Sequence, residues 1–260
     1  MNKILIVIMT LIFSFGTESI ADSFKVPPME TNERGTIVTE YVDGGVRWKS
    51  DWHTEVYKEN GITKFKLVFD ARGVTSPFTF ESTWRSEAVW KAEGDFMPLE
   101  SETKIKDLSG KVVMIDQKKF NHKDGTAIFS REDLIVNTYK RTPFDITPDT
   151  LIVEGIVYAL RTLPFGTEET VKGKILSNEP ELYNVEFKQV GIEKIQTTDG
   201  EIDCYKVEII PKLGLFTVFK VLFPKTYFWF TVEPPHKWIQ YQGLENGIDT
   251  PEIIMKVTNN

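Results

Sequence analysis

The chain has 260 residues, with 31 Lys plus Arg against 38 Asp plus Glu, three His and a single Cys. A formal charge of −7 excludes the basic surface that nucleic-acid binding requires, and one Cys excludes an internal disulfide or a Cys-rich zinc site. With 41% hydrophobic, 27% charged and 12% aromatic residues, the composition is that of a folded protein leaning toward β structure.

Residues 1–21 read as an export signal. Lys3 gives a minimal positive start, Ile4 to Phe15 an apolar run, and Ser19 and Ala21 the small residues before a cleavage point. The run is too short to cross about 30 Å of hydrocarbon, and no later segment in the mature chain is long and apolar enough to span a bilayer. The expected address is therefore export, to the periplasm or beyond it. Residues 22–34, with Pro27-Pro28 and the polar run Glu30 to Arg34, are expected to be an exposed leader. Residues 35–258 are expected to be one β-rich domain made of two halves.

Turn dipeptides punctuate that body: Asp43-Gly44, Asn60-Gly61, Ser109-Gly110, Asp124-Gly125, Asp199-Gly200 and Asn246-Gly247. Asn and Gly tolerate the positive φ of tight hairpins, so each dipeptide marks a strand reversal. Between them the apolar residues alternate: Phe65, Leu67 and Phe69; Tyr183, Val185 and Phe187; Tyr205, Val207 and Ile209. Period two with hairpin turns predicts antiparallel strands, a dozen or more of them.

One stretch departs from this rhythm. Thr147-Pro148-Asp149 has the composition of a helix start, and Pro164 and Gly166 that of a stop. Ile152, Ile156, Ala159, Leu160 and Leu163 fall at helical spacing, which predicts one buried central helix over 147–162 joining the two halves. Glu154, Tyr158 and Arg161 form its narrow polar edge. Farther on, Leu213 to Val232 is apolar on both faces of two successive strands. Antiparallel sheets ordinarily wet one face, so the second face needs cover. Either the hairpin lies between the helix and another layer, or one face lines an apolar cavity.

Chemical motifs are scarce. No nucleophile elbow, metalloprotease helix, phosphate loop or dinucleotide fingerprint occurs. Asp51, His53 and Glu55 alternate on one strand face, but three ligands two residues apart on a strand sit about 7 Å apart, awkward for one ion, so a solvated face is expected and no metal. His122 lies in a turn and His236 follows Pro234-Pro235 near Trp238. Cys204 has only Lys206 nearby and is expected to be an inert thiol. Trp48, Trp52, Trp84 and Trp90 would suit sugar stacking, or equally half-buried sheet positions, and two carboxylates across a cleft would make a glycosidase.

The runs Asp149-Thr150-Leu151, Tyr158 to Gly166, Val190 to Ile195 and Thr198 to Glu201, with the apolar strand ending in Trp229 and the upstream Gly94 to Leu99, resemble the pattern of domain-of-unknown-function family 3108. The resemblance spans about Gly35 to Val257 and departs at Glu233 to Trp238. It implies exported, β-rich bacterial proteins similar to periplasmic lipoprotein carriers: mainly β, a curved antiparallel sheet or open barrel with a helix plugging its concave side. No catalytic residue and no cofactor follow from it.

The expected function is a non-catalytic envelope protein that binds a lipid or acylated chain in the concave face, lined by Ile152, Ile156, Phe216, Phe219, Phe228 and Trp229. Two alternatives stand beside it. One is an envelope scaffold that meets a protein partner through the Glu154/Tyr158/Arg161 edge. The other is a polysaccharide or ester hydrolase using paired carboxylates.

Overall fold

Alternating strands and tight turns fold the chain into a long meander. The computed structural model describes residues 23–30, 32–212, 224–247 and 249–258. Strands β1 (Arg34–Tyr41), β2 (Val46–Glu59), β3 (Ile62–Val74), β4 (Glu81–Glu93), β5 (Asp95–Asp107), β6 (Val112–Asn121), β7 (Thr126–Asp133) and β8 (Thr138–Asp145) run up and down in order. Then follow β9 (Thr150–Ile152), β10 (Thr170–Leu176), β11 (Leu182–Thr197), β12 (Gly200–Pro211), β13 (Thr226–Thr231), β14 (Trp238–Leu244) and β15 (Glu252–Thr258). Together they make one 15-stranded sheet whose spatial order runs β8 back to β1, then β15 back to β9.

All six turn dipeptides sit at strand reversals, as expected. In Asn60-Gly61 both residues have positive φ, 51° and 80°, the backbone that a two-residue hairpin turn needs to match strand twist. The outermost strands, β8 and β9, do not pair with each other. Asp145 and Thr150 are five residues apart, a reach of about 18 Å at full extension. The two free edges therefore come close at that point, and the sheet curls into an open barrel.

The helix differs from expectation. Thr150, Leu151 and Ile152 form β9, parallel to β10 with Ile175 opposite Leu151. The helical residues that follow are a 3₁₀ turn (Val153–Gly155), one α turn, α1 (Ile156–Ala159), and a second 3₁₀ turn (Leu160–Thr162). Two local causes shorten it. The Thr150 N–H donates to the Thr147 carbonyl at 2.9 Å, and the Thr147 N–H to the Thr150 hydroxyl at 3.1 Å, so residues 147–150 close a turn that leads into β9 instead of a helix. Gly155 has a non-helical backbone, φ −130°, because it lies on Trp90: a Cβ there would stand 2.1 Å from the indole.

The expected exposed leader is also corrected. Phe24 is buried with its ring edge-on to Phe187 at 5.8 Å, and its carbonyl accepts the Phe96 N–H at 2.8 Å. Residues 23–30 thus close part of the barrel wall.

Inward positions at one end of the barrel are large. Phe65, Trp90, Phe96, Phe187 and Phe230 pack with Leu151, Ile152, Tyr158 and Leu160 into a core drawn from both halves. Trp90 stacks on Phe96 at 5.4 Å, and Phe65 meets Tyr158 at 4.7 Å. Burying each such ring stabilises the fold by about 1.5–3 kcal/mol, so this end is closed and firm.

Candidate functional site

Toward the other end of the barrel lies a layer of smaller inward side chains. On β2, β4 and β5 the inward positions near that end are Ser50, Ser86 and Thr103, where the closed end has Val56, Trp90 and Phe96. The missing volume leaves a cavity of about 780 Å³. It opens where β2, β4 and β6 begin and β3, β5 and β7 end. Trp48, Trp84, Ile105, Met114, Phe228 and Met255 give its apolar wall, and Val153, Ile156 and Val157 of the helical segment form its floor. Trp48 and Trp84 meet edge to face at 5.6 Å.

Ion pairs hold this end in shape. Arg131 clasps Asp116 through two 2.7 Å hydrogen bonds and donates a third, at 2.8 Å, to the Asn178 carbonyl. Glu245, in the β14–β15 loop, accepts two 2.8 Å bonds from Arg47, one of 3.0 Å from Trp48 and one of 2.9 Å from the Ser76 N–H. It thereby ties three loops across the mouth. Beneath the floor, Lys118 donates to Glu154 at 2.5 Å and to Asn178 at 2.6 Å. Glu208 pairs with Lys225 at 3.1 Å. Asp116, Glu154, Glu208 and Glu245, all lining the cavity, are each engaged by a cation.

A second buried pair lies in the closed core. Arg161 forks onto Glu33 at 2.8 and 2.9 Å, and the Tyr158 hydroxyl donates to the same carboxylate at 3.2 Å. Burial pushes the Glu33 carboxyl up, but the Arg161 hydrogen bonds and charge, with the Glu30 N–H and Tyr158 hydroxyl, outweigh it and hold the group below its usual range. Burial likewise raises Glu245, and Arg47 and Ser76 overcome it. Because both carboxyls are depressed in the fold, their stabilisation is whole above the unfolded value of about 4.3 and is lost as pH falls through the folded value. The urea midpoint should hold between pH 7 and about pH 5 and drop below about pH 4.3. A midpoint unchanged down to about pH 3 would show that neither pair contributes.

The sequence-derived site is only partly assembled. Ile156 and Phe228 line the cavity. Ile152 is buried in the closed core instead. Trp229 faces outward from β13: its indole donates to Glu193 at 2.9 Å and Lys206 sits 5.1 Å over its ring, so neighbouring strands supply its cover. Phe216 and Phe219 lie outside the described residues, as does the 1–21 signal. The edge Glu154, Tyr158 and Arg161 is no partner surface, because all three side chains turn inward to buried ion pairs.

The other candidates hold structural places. His122 meets the Pro98 carbonyl at 2.5 Å and stacks on Phe120, and His236 packs 4.7 Å from Phe165. Burial, with Asp203 nearby, pushes the Cys204 thiol up to about 11, so it stays protonated. Among the described residues no three His, Cys, Asp or Glu side chains gather to hold a metal. Trp48 and Trp84 were legible as aromatic platforms but not as cavity walls. The small inward residues Ser50, Ser86 and Thr103, on three separate strands, are the signal that the sequence reading missed.

An open antiparallel barrel, packed at one end and hollow at the other, defines the class: a β-barrel-like protein with an internal cavity. Residues 43–241 match the model of DUF3108, a protein family of unknown function, and the chain belongs to that family. No curated protein matches the chain. A β-barrel-like protein of the domain-of-unknown-function family DUF1849 from Brucella abortus is 8% identical with a TM-score of 0.51, covering 90% of this chain and 97% of that one. It shares the fold. A protein from Bacteroides fragilis described as exported, with a YmcC-like fold, is 9% identical over 92% of this chain and 99% of its own; its TM-score of 0.35 carries no argument here. No helix among the described residues is long and apolar enough to cross a membrane.

Proposed function

We propose that the chain is an exported, non-catalytic envelope protein that binds a lipid or acylated chain in the hollow end of its barrel. The cavity carries this reading. Its volume of about 780 Å³ falls in the range of ligand sites, and its walls are aromatic and aliphatic with a few polar groups already paired. An acyl chain shielding about 200–300 Å² there would gain roughly 5–7 kcal/mol before association costs. The hydrolase alternative has less support, since the cavity carboxylates named above are tied to Lys or Arg. Export rests on the 1–21 segment read from sequence.

Protein purified from its own host without detergent should show a one-to-one lipid adduct by native mass spectrometry. After delipidation it should bind N-phenyl-1-naphthylamine saturably. Absence of both an adduct and saturable binding would overturn the proposal.

A further inference from the structure

At the cavity mouth the hairpin turns of the first half of the sheet differ in character from those at the closed end, and from the second half's mouth turns, residues 177–181 and 245–251, which carry Glu179, Glu181, Glu245 and Asp249. Residues 42–45, 75–80, 108–111 and 134–137, which join β1–β2, β3–β4, β5–β6 and β7–β8, carry Asp43 and Lys111 as their only charges. The chain as a whole is 27% charged, so turns this poor in charge are unusual for surface loops. Their tips expose Val42, Phe80, Leu108, Ile135 and Val136, the last three at 57%, 55% and 63%. Tyr139, at the start of β8, is 68% exposed on the same end. At the closed end the turns include Asn60-Gly61, Gly94, residues 122–125, 198–199 and 232–237, and among the described residues Ile62 is the one large apolar side chain exposed next to these turns, with Val190 and Ile192 exposed farther along β11.

These tips are continuous with the cavity. Phe80 contacts Phe78 at 5.0 Å, and Phe78 belongs to a small cluster with Ile105, Met114 and Trp84. Three of those, Ile105, Met114 and Trp84, line the cavity wall. An apolar path therefore runs from the hollow, through this cluster, to the rim.

We propose that this rim docks onto a lipid bilayer surface, with the cavity mouth facing the acyl chains. The inference rests on the acyl-binding reading above and names where the ligand comes from. The apolar tips flank one side of the mouth and lead into the hollow, and a bilayer offers both cover for them and chains for the cavity, which a soluble protein partner would not. Asp43 and Lys111 cancel within these four turns and the second half's mouth turns are acidic, so docking draws on apolar burial rather than on attraction to anionic lipid.

Flotation with phosphatidylcholine vesicles tests this on the full chain. Wild-type protein should float with them, equally in 0.1 M and 0.5 M NaCl. The triple variant L108S/I135S/V136S should partition at least tenfold more weakly while keeping its melting temperature, since all three side chains are more than half exposed. I62S, the same kind of change at the opposite end, should partition like wild type. No flotation of wild type, or equal flotation of the triple variant, would overturn the proposal, and so would loss of flotation in 0.5 M NaCl. N-phenyl-1-naphthylamine separates the two ideas. Probe binding without vesicle binding sinks the docking surface alone, and absence of probe binding sinks the cavity reading.

Discussion

Replacing Arg161 with methionine is expected to lower the unfolding free energy by about 3–5 kcal/mol. The magnitude follows from what is left behind. Glu33 is buried and takes both of its strong hydrogen bonds from Arg161. Without that guanidinium its carboxylate keeps only the Tyr158 hydroxyl and the Glu30 N–H. An uncompensated charge in a low-dielectric interior either stays ionised at high cost or takes up a proton. For a chain of this size the loss corresponds to a melting temperature lower by roughly 6–20 °C. The double variant E33Q/R161M should recover much of it, because it removes both charges together. Thermal unfolding of the two variants decides the matter; equal destabilisation of single and double would show that packing, not charge, is at stake.

The second large effect concerns the hollow. Tryptophan at Val157 on the floor, or at Ser86 on the wall, should weaken N-phenyl-1-naphthylamine binding at least tenfold. A tenfold change is about 1.4 kcal/mol, equal to losing roughly 55 Å² of apolar contact at 25 cal/mol per Å². An indole entering the cavity removes at least that. Both side chains line the open volume, so the added atoms have space that a packed core would deny them. V190W, on an exposed outer position of β11, is the control and should bind normally. Either cavity variant folding with unchanged affinity would remove the hollow as the binding site; should one fail to fold, the other and I209W, also on the wall, carry the test.

Much of the fold was legible because its signals are local. Asn60-Gly61 fixes a reversal by backbone preference alone, and the alternation of Phe65, Leu67 and Phe69 needs only the period of a strand. The helix was overextended because Thr150, Leu151 and Ile152 are buried all round, and a fully buried run carries no period to separate strand from helix. Glu154, Tyr158 and Arg161 were misplaced for a different reason. Polar residues on a helix edge face water unless a partner waits inside, and Glu33 is 128 residues from Arg161 in sequence. Lys118 likewise reaches Glu154 from a distant strand. An apolar cavity near Ile156 and Phe228 was expected, but most of its wall was hidden because an absence of bulk at Ser50, Ser86 and Thr103 acquires meaning only once their strands are known to lie side by side.

The seam of the sheet has a consequence for how the molecule is made. β1 pairs with β15, Thr36 opposite Thr258, so the first strand finds its second neighbour 222 residues farther along the chain. Each half can grow by successive hairpins, at low cost in loop entropy, but joining them demands a contact across nearly the whole polypeptide. Until then β1 presents an open edge ready to recruit any extended stranger. The same seam brings the start of β1 beside the end of β15, so a permuted version joined there and opened at Asn60-Gly61 would keep every strand neighbour while changing the order in which they meet.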